Sequence, residues 1–159
     1  MMCAVFSKND FEDVCEKNGW NDSNVPENIA FISICCHPDC IKYVRFSDGD
    51  QHYFKEPHDN VLNIEFDDIL EDSLEMGDSH KNAIGMTEAD ARVMHAFIKK
   101  HIGKDFMVHC RAGKSRSQGV FRYISDTYPG YEGRPDNPCL YPNIRVTNLL
   151  KRIDYEDNT

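Results

Sequence analysis

No stretch of this chain approaches the run of about 18 or more apolar residues that a membrane span needs. Residues 1–10 show no basic segment followed by an apolar one, so no secretory leader is expected. Glycine and proline are sparse, 9 and 7 in 159 residues, which excludes a fibrous or low-complexity chain. Positive charge is also short: 18 Lys and Arg stand against 27 Asp and Glu, a net of −9. A protein that gains its affinity by neutralising nucleic-acid phosphates or an anionic bilayer carries the opposite excess. Neither nucleic acid nor membrane is therefore expected as a partner, any phosphate site has to be local, and the expected compartment is the cytoplasm.

What is present suffices for a real core. Hydrophobic residues make up 40% of the chain and include 9 Phe, 7 Tyr and 1 Trp, which excludes intrinsic disorder. The length suits one domain over residues 1–159, and no internal repeat is visible. The cysteines are 7, an odd number at irregular spacings, and read as thiols of a reducing compartment. Cys35, Cys36, His37 and Cys40 invite a zinc reading, but a structural zinc site usually draws on two spaced pairs and no second pair with ligand spacing follows. Buried thiols at a strand end are the better reading, and no metal or other cofactor is expected.

Along the chain, Phe6, Phe11, Val14 and Cys15 are spaced so that Ser7 or Asn9 caps a short helix ending near Gly19. Residues 29–35 form an almost unbroken, partly β-branched apolar run, as expected of a strand covered on both faces. Residues 42–46 and 51–54 flank an Asp-Gly dipeptide and predict a hairpin. Residues 61–66 read as another strand, followed by an acidic loop. Thr87 and Asp90 predict a capping box, with Ala89, Val93 and Phe97, together with Met94 and Ile98, as the apolar stripe of the helix behind it. Residues 106–109 give a third buried strand, Val120, Phe121, Ile124 and Tyr128 a helix, and Ile144, Val146, Leu149, Leu150 and Ile153 a last one. Strands alternating with helices predict an α/β domain with a central, mostly parallel sheet flanked by helices.

The chemistry concentrates in residues 108–117. Cys110 stands where an apolar strand stops and a helix starts, Gly113 lies in the turn between, and Arg116 and Ser117 fall in the first helical turn. A loop bent around a helix N-terminus can point the backbone N–H groups of Arg111, Ala112, Gly113, Lys114 and Ser115 inward as a nest, and the helix dipole adds positive potential. A phosphate-sized dianion fits such a nest, and Arg116 can grip two of its oxygens at once, which a lysine cannot. The same field favours a thiolate at Cys110. His109 is expected to orient the thiol through its ring N–H, and Ser117 to donate to the sulfur when it leaves. Arg111 and Lys114, if they face outward, enrich the local field or select substrate.

The pattern His109-Cys110-x-x-Gly113-x-x-Arg116-Ser117 resembles the signature loop of the cysteine-dependent protein phosphatases, and Ser115-Arg116-Ser117 is most similar to their dual-specificity branch. The resemblance extends from about residue 29 to residue 153. It implies a protein-tyrosine-phosphatase-like fold and a metal-free phosphomonoesterase with Cys110 as nucleophile, Arg116 and the loop amides as phosphate clamp, and an upstream Asp as general acid. Asp68, 42 residues before Cys110, is the first choice for that acid and Asp67 the next. This separation is longer than the family's, which keeps Asp72 and Asp78 in contention and suggests that the intervening acidic insert closes over the site as a lid. The expected partner is a phosphorylated protein, met by a monomer and dephosphorylated on tyrosine and also on serine or threonine. Phosphatases of RNA 5′ ends or phosphoinositides share the loop, as would a module that only recognises phosphate.

Overall fold

The computed structural model describes residues 1–38, 50–70 and 83–159. The fold is α/β, in chain order β1 Cys3–Ser7, α1 Lys8–Lys17, β2 Ile29–Cys35, β3 Val61–Glu65, α2 Glu88–His101, β4 Asp105–Cys110, α3 Arg116–Thr127 and α4 Ile144–Asp157. The four strands form one sheet in the order β1-β4-β2-β3, and every pairing is parallel. In register, Ser7 lies beside Cys110, Ser33 beside His109, and Cys35 beside Glu65, so these residues collect at the carboxyl ends of the strands. Ligand sites of open parallel sheets form at that edge.

Alternation along the strands divides the core in two. Ala30, Ile32 and Ile34 of β2 and Phe106, Val108 and Cys110 of β4 pack with α2, α3 and α4 in the larger cluster. Phe31 and Met107 point the other way, onto Phe11 and Cys15 of α1 and onto Phe54. A sheet covered on both faces accounts for strands that read as continuous apolar runs rather than as alternating ones.

The caps explain where the helices begin. Ser7 ends β1 and at once caps α1, its hydroxyl accepting from Asp10 N. Thr87 and Asp90 close the expected capping box on α2, each side chain accepting from the other's backbone N–H. Asn143 caps α4 by accepting from Val146 N.

Four expectations need revision. β1 has no counterpart in the sequence reading, because its five residues run straight into the Ser7 cap with no turn to set them apart. Residues 42–46 of the expected hairpin lie outside the described residues, and residues 51–54 form no strand: Phe54 is buried, and Tyr53 Oη donates to Trp20 O. The buried face of α2 is Ala91, Met94, His95, Ile98 and His101, so Met94 and Ile98 hold their expected places while Val93 is 54% exposed. Ile144 of α4, read as core-facing, is likewise exposed.

Helices α3 and α4 meet at Gly119, where a Cβ would lie 2.6 Å from Asn143 O and 3.0 Å from Val146 Cβ. Thr147 Oγ1 donates to Gly119 O across the same contact. Gly119→Ala should therefore push the helices apart and cost about 1–3 kcal/mol in chemical denaturation, whereas an unchanged unfolding midpoint would show that the contact has slack.

Candidate active site

The chain turns from β4 into α3 through residues 111–115, and the hydrogen bonds of this loop share one polarity. The carbonyls of every second residue are tied to the surrounding scaffold. Arg111 O accepts from Lys8 N, Gly113 O from Gln118 Nε2 and Asn137 Nδ2, and Ser115 O from Gly119 N and Asn143 N. The N–H groups of Ala112, Gly113, Lys114, Ser115, Arg116 and Ser117 have no acceptor among the described residues. Gly113 makes the bend possible: its φ is +69°, and a Cβ there would lie 2.6 Å from Phe6 C and Ser7 N. A loop whose bonded carbonyls face the scaffold and whose amides are left without acceptors at a helix N-terminus can hold an anion.

Cys110 closes the floor. It is 2% exposed, and its Sγ lies 3.0 Å from Ser117 Oγ, itself fully buried in the first turn of α3. Arg116 is 5% exposed; its Nη1 donates to Phe66 O at 2.9 Å and contacts Cys36 Sγ at 3.9 Å. Burial works against the guanidinium's charge, but Cys110, Cys36 and Asp68 outweigh it and hold its pKa above the ordinary value. Its Nε is buried without a hydrogen-bond partner among the described residues, a cost of about 1–3 kcal/mol that an anion oxygen at this position would remove.

The two adjacent aspartates occupy different environments. Asp67 is buried, and its two oxygens accept from His37 N at 3.0 Å and Ile84 N at 2.7 Å, fastening the chain after β3. Asp68 is exposed, and its Oδ1 accepts from Ser115 Oγ at 2.6 Å and Asn143 Nδ2 at 2.8 Å, while Oδ2 has no partner among the described residues. A carboxylate anchored to the loop by one oxygen and open at the other is placed for proton transfer, and Asp67 is not. Asp72, Asp78 and all of residues 71–82 of the insert read as a lid lie outside the described residues, while Ile69 and Ala83 at its two ends are buried together.

Of the other expected residues, Arg111, Ala112 and Lys114 are exposed, and Lys114 Nζ donates to Asn137 Oδ1 at 2.7 Å. His109 is buried against the Phe11 ring, with centroids 4.5 Å apart. Its Nδ1 lies 3.3 Å from Cys110 O and its Nε2 2.7 Å from Ser33 Oγ, so the ring meets the cysteine at its carbonyl. Cys35 and Cys36 are buried thiols pushed up to about 12, by burial first, while Cys40 lies outside the described residues. The sequence reading missed Asn137 and Asn143, which pin the loop; they sit in a proline-rich connection with no motif around them.

No family model matches the chain, and neither a curated protein nor a solved structure matches it. No helix among the described residues is long and apolar enough to cross a membrane.

Burial holds His109 neutral down to about pH 4, against 6.5 for an unburied ring. Between these values the unfolded chain binds a proton that the folded protein refuses, so this contribution to stability is complete above about pH 6.5 and is lost as pH falls toward 4. The melting temperature should fall across that window, and His109→Gln should flatten the fall; an equally steep fall in the variant would place the acid sensitivity elsewhere.

Proposed function

We propose that this protein hydrolyses phosphomonoesters on proteins through a cysteinyl-phosphate intermediate, on a fold of the dual-specificity branch of the cysteine-dependent phosphatases. The observation that carries the reading is that Arg111 O, Gly113 O and Ser115 O are tied to the scaffold while the six amides of residues 112–117 have no acceptor among the described residues, beside a buried cysteine and a buried arginine whose Nε has none there either.

In this scheme the phosphoryl oxygens take the loop amides and two donors of Arg116. The Cys110 thiolate attacks phosphorus, an S–P bond forms, and the P–O bond to the leaving group breaks as Asp68 gives its proton to the departing oxygen. Water then attacks phosphorus, Asp68 takes a proton back, and the S–P bond breaks. Ser117 Oγ, 3.0 Å away, donates to the returning thiolate, and inorganic phosphate is released. The protein itself supplies nucleophile, proton and positive charge, so the scheme requires no cofactor.

A protein substrate suits the surroundings of the loop. Residues 137–143 are fastened to the loop at both ends, through Asn137 to Gly113 O and through Asn143 to Ser115 O. Between these anchors Leu140 and Tyr141 are 68% and 81% exposed, an apolar ridge against which a peptide can lie. RNA ends and phosphoinositides call for a broadly basic surface, which a net charge of −9 does not supply, and the ammonium of Lys114 is already held by Asn137. A phenol leaves more readily than an alkoxide, so phosphotyrosine should react fastest, with phosphoserine and phosphothreonine slower.

Cys110→Ser should lower hydrolysis of an aryl phosphate by about 10³-fold or more while still binding it, and a rate within tenfold of wild type would remove Cys110 from the reaction. Asp68→Asn should cost about 10²–10⁴-fold on phosphopeptides and much less on an aryl ester with an acidic leaving group. Equal losses on both would assign the acid to another residue.

A further inference from the structure

A chain of four side chains runs from solvent to the carbonyl of the nucleophile. Glu65 Oε2 lies 2.7 Å from His52 Nε2, His52 Nδ1 2.7 Å from Ser33 Oγ, Ser33 Oγ 2.7 Å from His109 Nε2, and His109 Nδ1 3.3 Å from Cys110 O. The outer carboxylate is 43% exposed, the His52 side chain 17%, and Ser33 and His109 are each 1% exposed. The chain therefore begins in water and ends in the core.

The polarity of this chain follows from counting protons. A carbonyl only accepts, so His109 Nδ1 carries hydrogen and donates to Cys110 O. Burial keeps the ring neutral, which leaves Nε2 as an acceptor. Ser33 must then donate its one hydrogen to His109 and accept from His52 Nδ1. His52 Nε2 in turn faces a carboxylate, which also accepts. The count closes only if the His52–Glu65 pair holds one proton more than a neutral imidazole and a carboxylate possess between them.

Removing that proton reverses the chain. A neutral His52 keeps its hydrogen on Nε2, against Glu65, and turns a bare Nδ1 toward Ser33. The serine hydroxyl then donates outward, His109 has to carry its hydrogen on Nε2, and the N–H bond to Cys110 O is lost. We propose that Glu65, His52 and Ser33 are positioning residues forming a two-state proton relay, whose polarity, set by one proton at the surface, decides whether His109 secures the backbone of Cys110. The consequence for turnover rests on the phosphatase reading; the relay itself does not.

Other polar groups nearby leave this count unchanged. Cys35 Sγ, on β2, lies 3.4 Å from His52 Nδ1, and burial together with Asp50 pushes that thiol up to about 12, so it stays neutral. Lys8 of α1 and Asp50 act on His109 with opposite signs and lie 3.4 Å from each other. The ring of Phe11 on α1, with its centroid 4.5 Å from that of His109, is apolar.

The test follows the His109 tautomer by nitrogen NMR, and the alkylation rate of Cys110 by iodoacetamide, across about pH 5–9. Wild type, Glu65→Gln and Ser33→Ala are compared, and kcat and KM on an aryl phosphate are recorded alongside. In wild type the tautomer should switch and the alkylation rate should step at one common midpoint. Turnover should change there by up to about tenfold in kcat, the worth of one hydrogen bond, with KM unmoved. Glu65→Gln offers an amide N–H to His52 Nε2, so His52 keeps hydrogen on Nδ1 without the extra proton and the step should vanish. Ser33→Ala should disconnect Cys110 from the His52–Glu65 pair, so its alkylation rate should lose the step. A single His109 tautomer throughout the wild-type titration, or a step that survives in Glu65→Gln, overturns the relay. Both spectroscopic and alkylation readouts decide it without turnover, and a folded wild type that hydrolyses no phosphate ester overturns the phosphatase reading instead.

Discussion

Everything at the carboxyl edge of the sheet depends on how residues 111–115 distribute their peptide groups. A short loop cannot satisfy its own donors and acceptors, and burying them without partners costs about 1–3 kcal/mol each. Here the carbonyls of Arg111, Gly113 and Ser115 are satisfied by the scaffold, from Lys8 N, Gln118, Asn137, Asn143 and Gly119 N, while the amides of residues 112–117 find no acceptor among the described residues. That asymmetry leaves a connection between strand and helix able to hold an oxyanion. It also explains why Gly113 must be glycine, since its amide can face inward only at positive φ, with no room for a Cβ against Phe6 and Ser7.

The parallel sheet serves this loop directly. β4 is flanked by β1 and β2, and its pleat sends Cys110 toward α3 while His109 faces α1. The Cys110 thiol and the His109 ring thus lie in different layers of the core. Arg116 is held from β3's side by Phe66 O, and Asp68, two residues further on, reaches Ser115 and Asn143. One short stretch after β3 therefore contributes both to the guanidinium's placement and to the rim carboxylate. Its neighbour Asp67 spends its charge on two backbone amides and keeps the stretch in place.

How much of this could be read from the sequence follows from how local each interaction is. The loop was legible because Cys110, Gly113, Arg116 and Ser117 lie within eight consecutive residues, and the strands β2, β3 and β4 because covered strands leave apolar runs. The caps at Ser7 and Thr87 were legible because capping acts over three residues. β1 was not, since nothing separates it from the cap that follows. Nor was the buried side of α2, where Val93 and Met94 are adjacent apolar residues and only the packing on α4 decides between them. Asp68 was preferred to Asp67 already in the sequence, but their different partners, Ser115 and Asn143 against His37 N and Ile84 N, come from distant segments and needed coordinates. Ser33 and His109, 76 residues apart, meet only because β2 and β4 pair in register.

The measurement closest to the central claim is a titration of the protein with tungstate, a phosphate-shaped oxyanion, followed by amide NMR. The account predicts saturable shifts confined mainly to the N–H resonances of residues 111–117 and to the Arg116 Nε–H, with the anion protecting Cys110 from alkylation. Shifts scattered over the surface, with the loop amides unmoved and Cys110 unprotected, would contradict it.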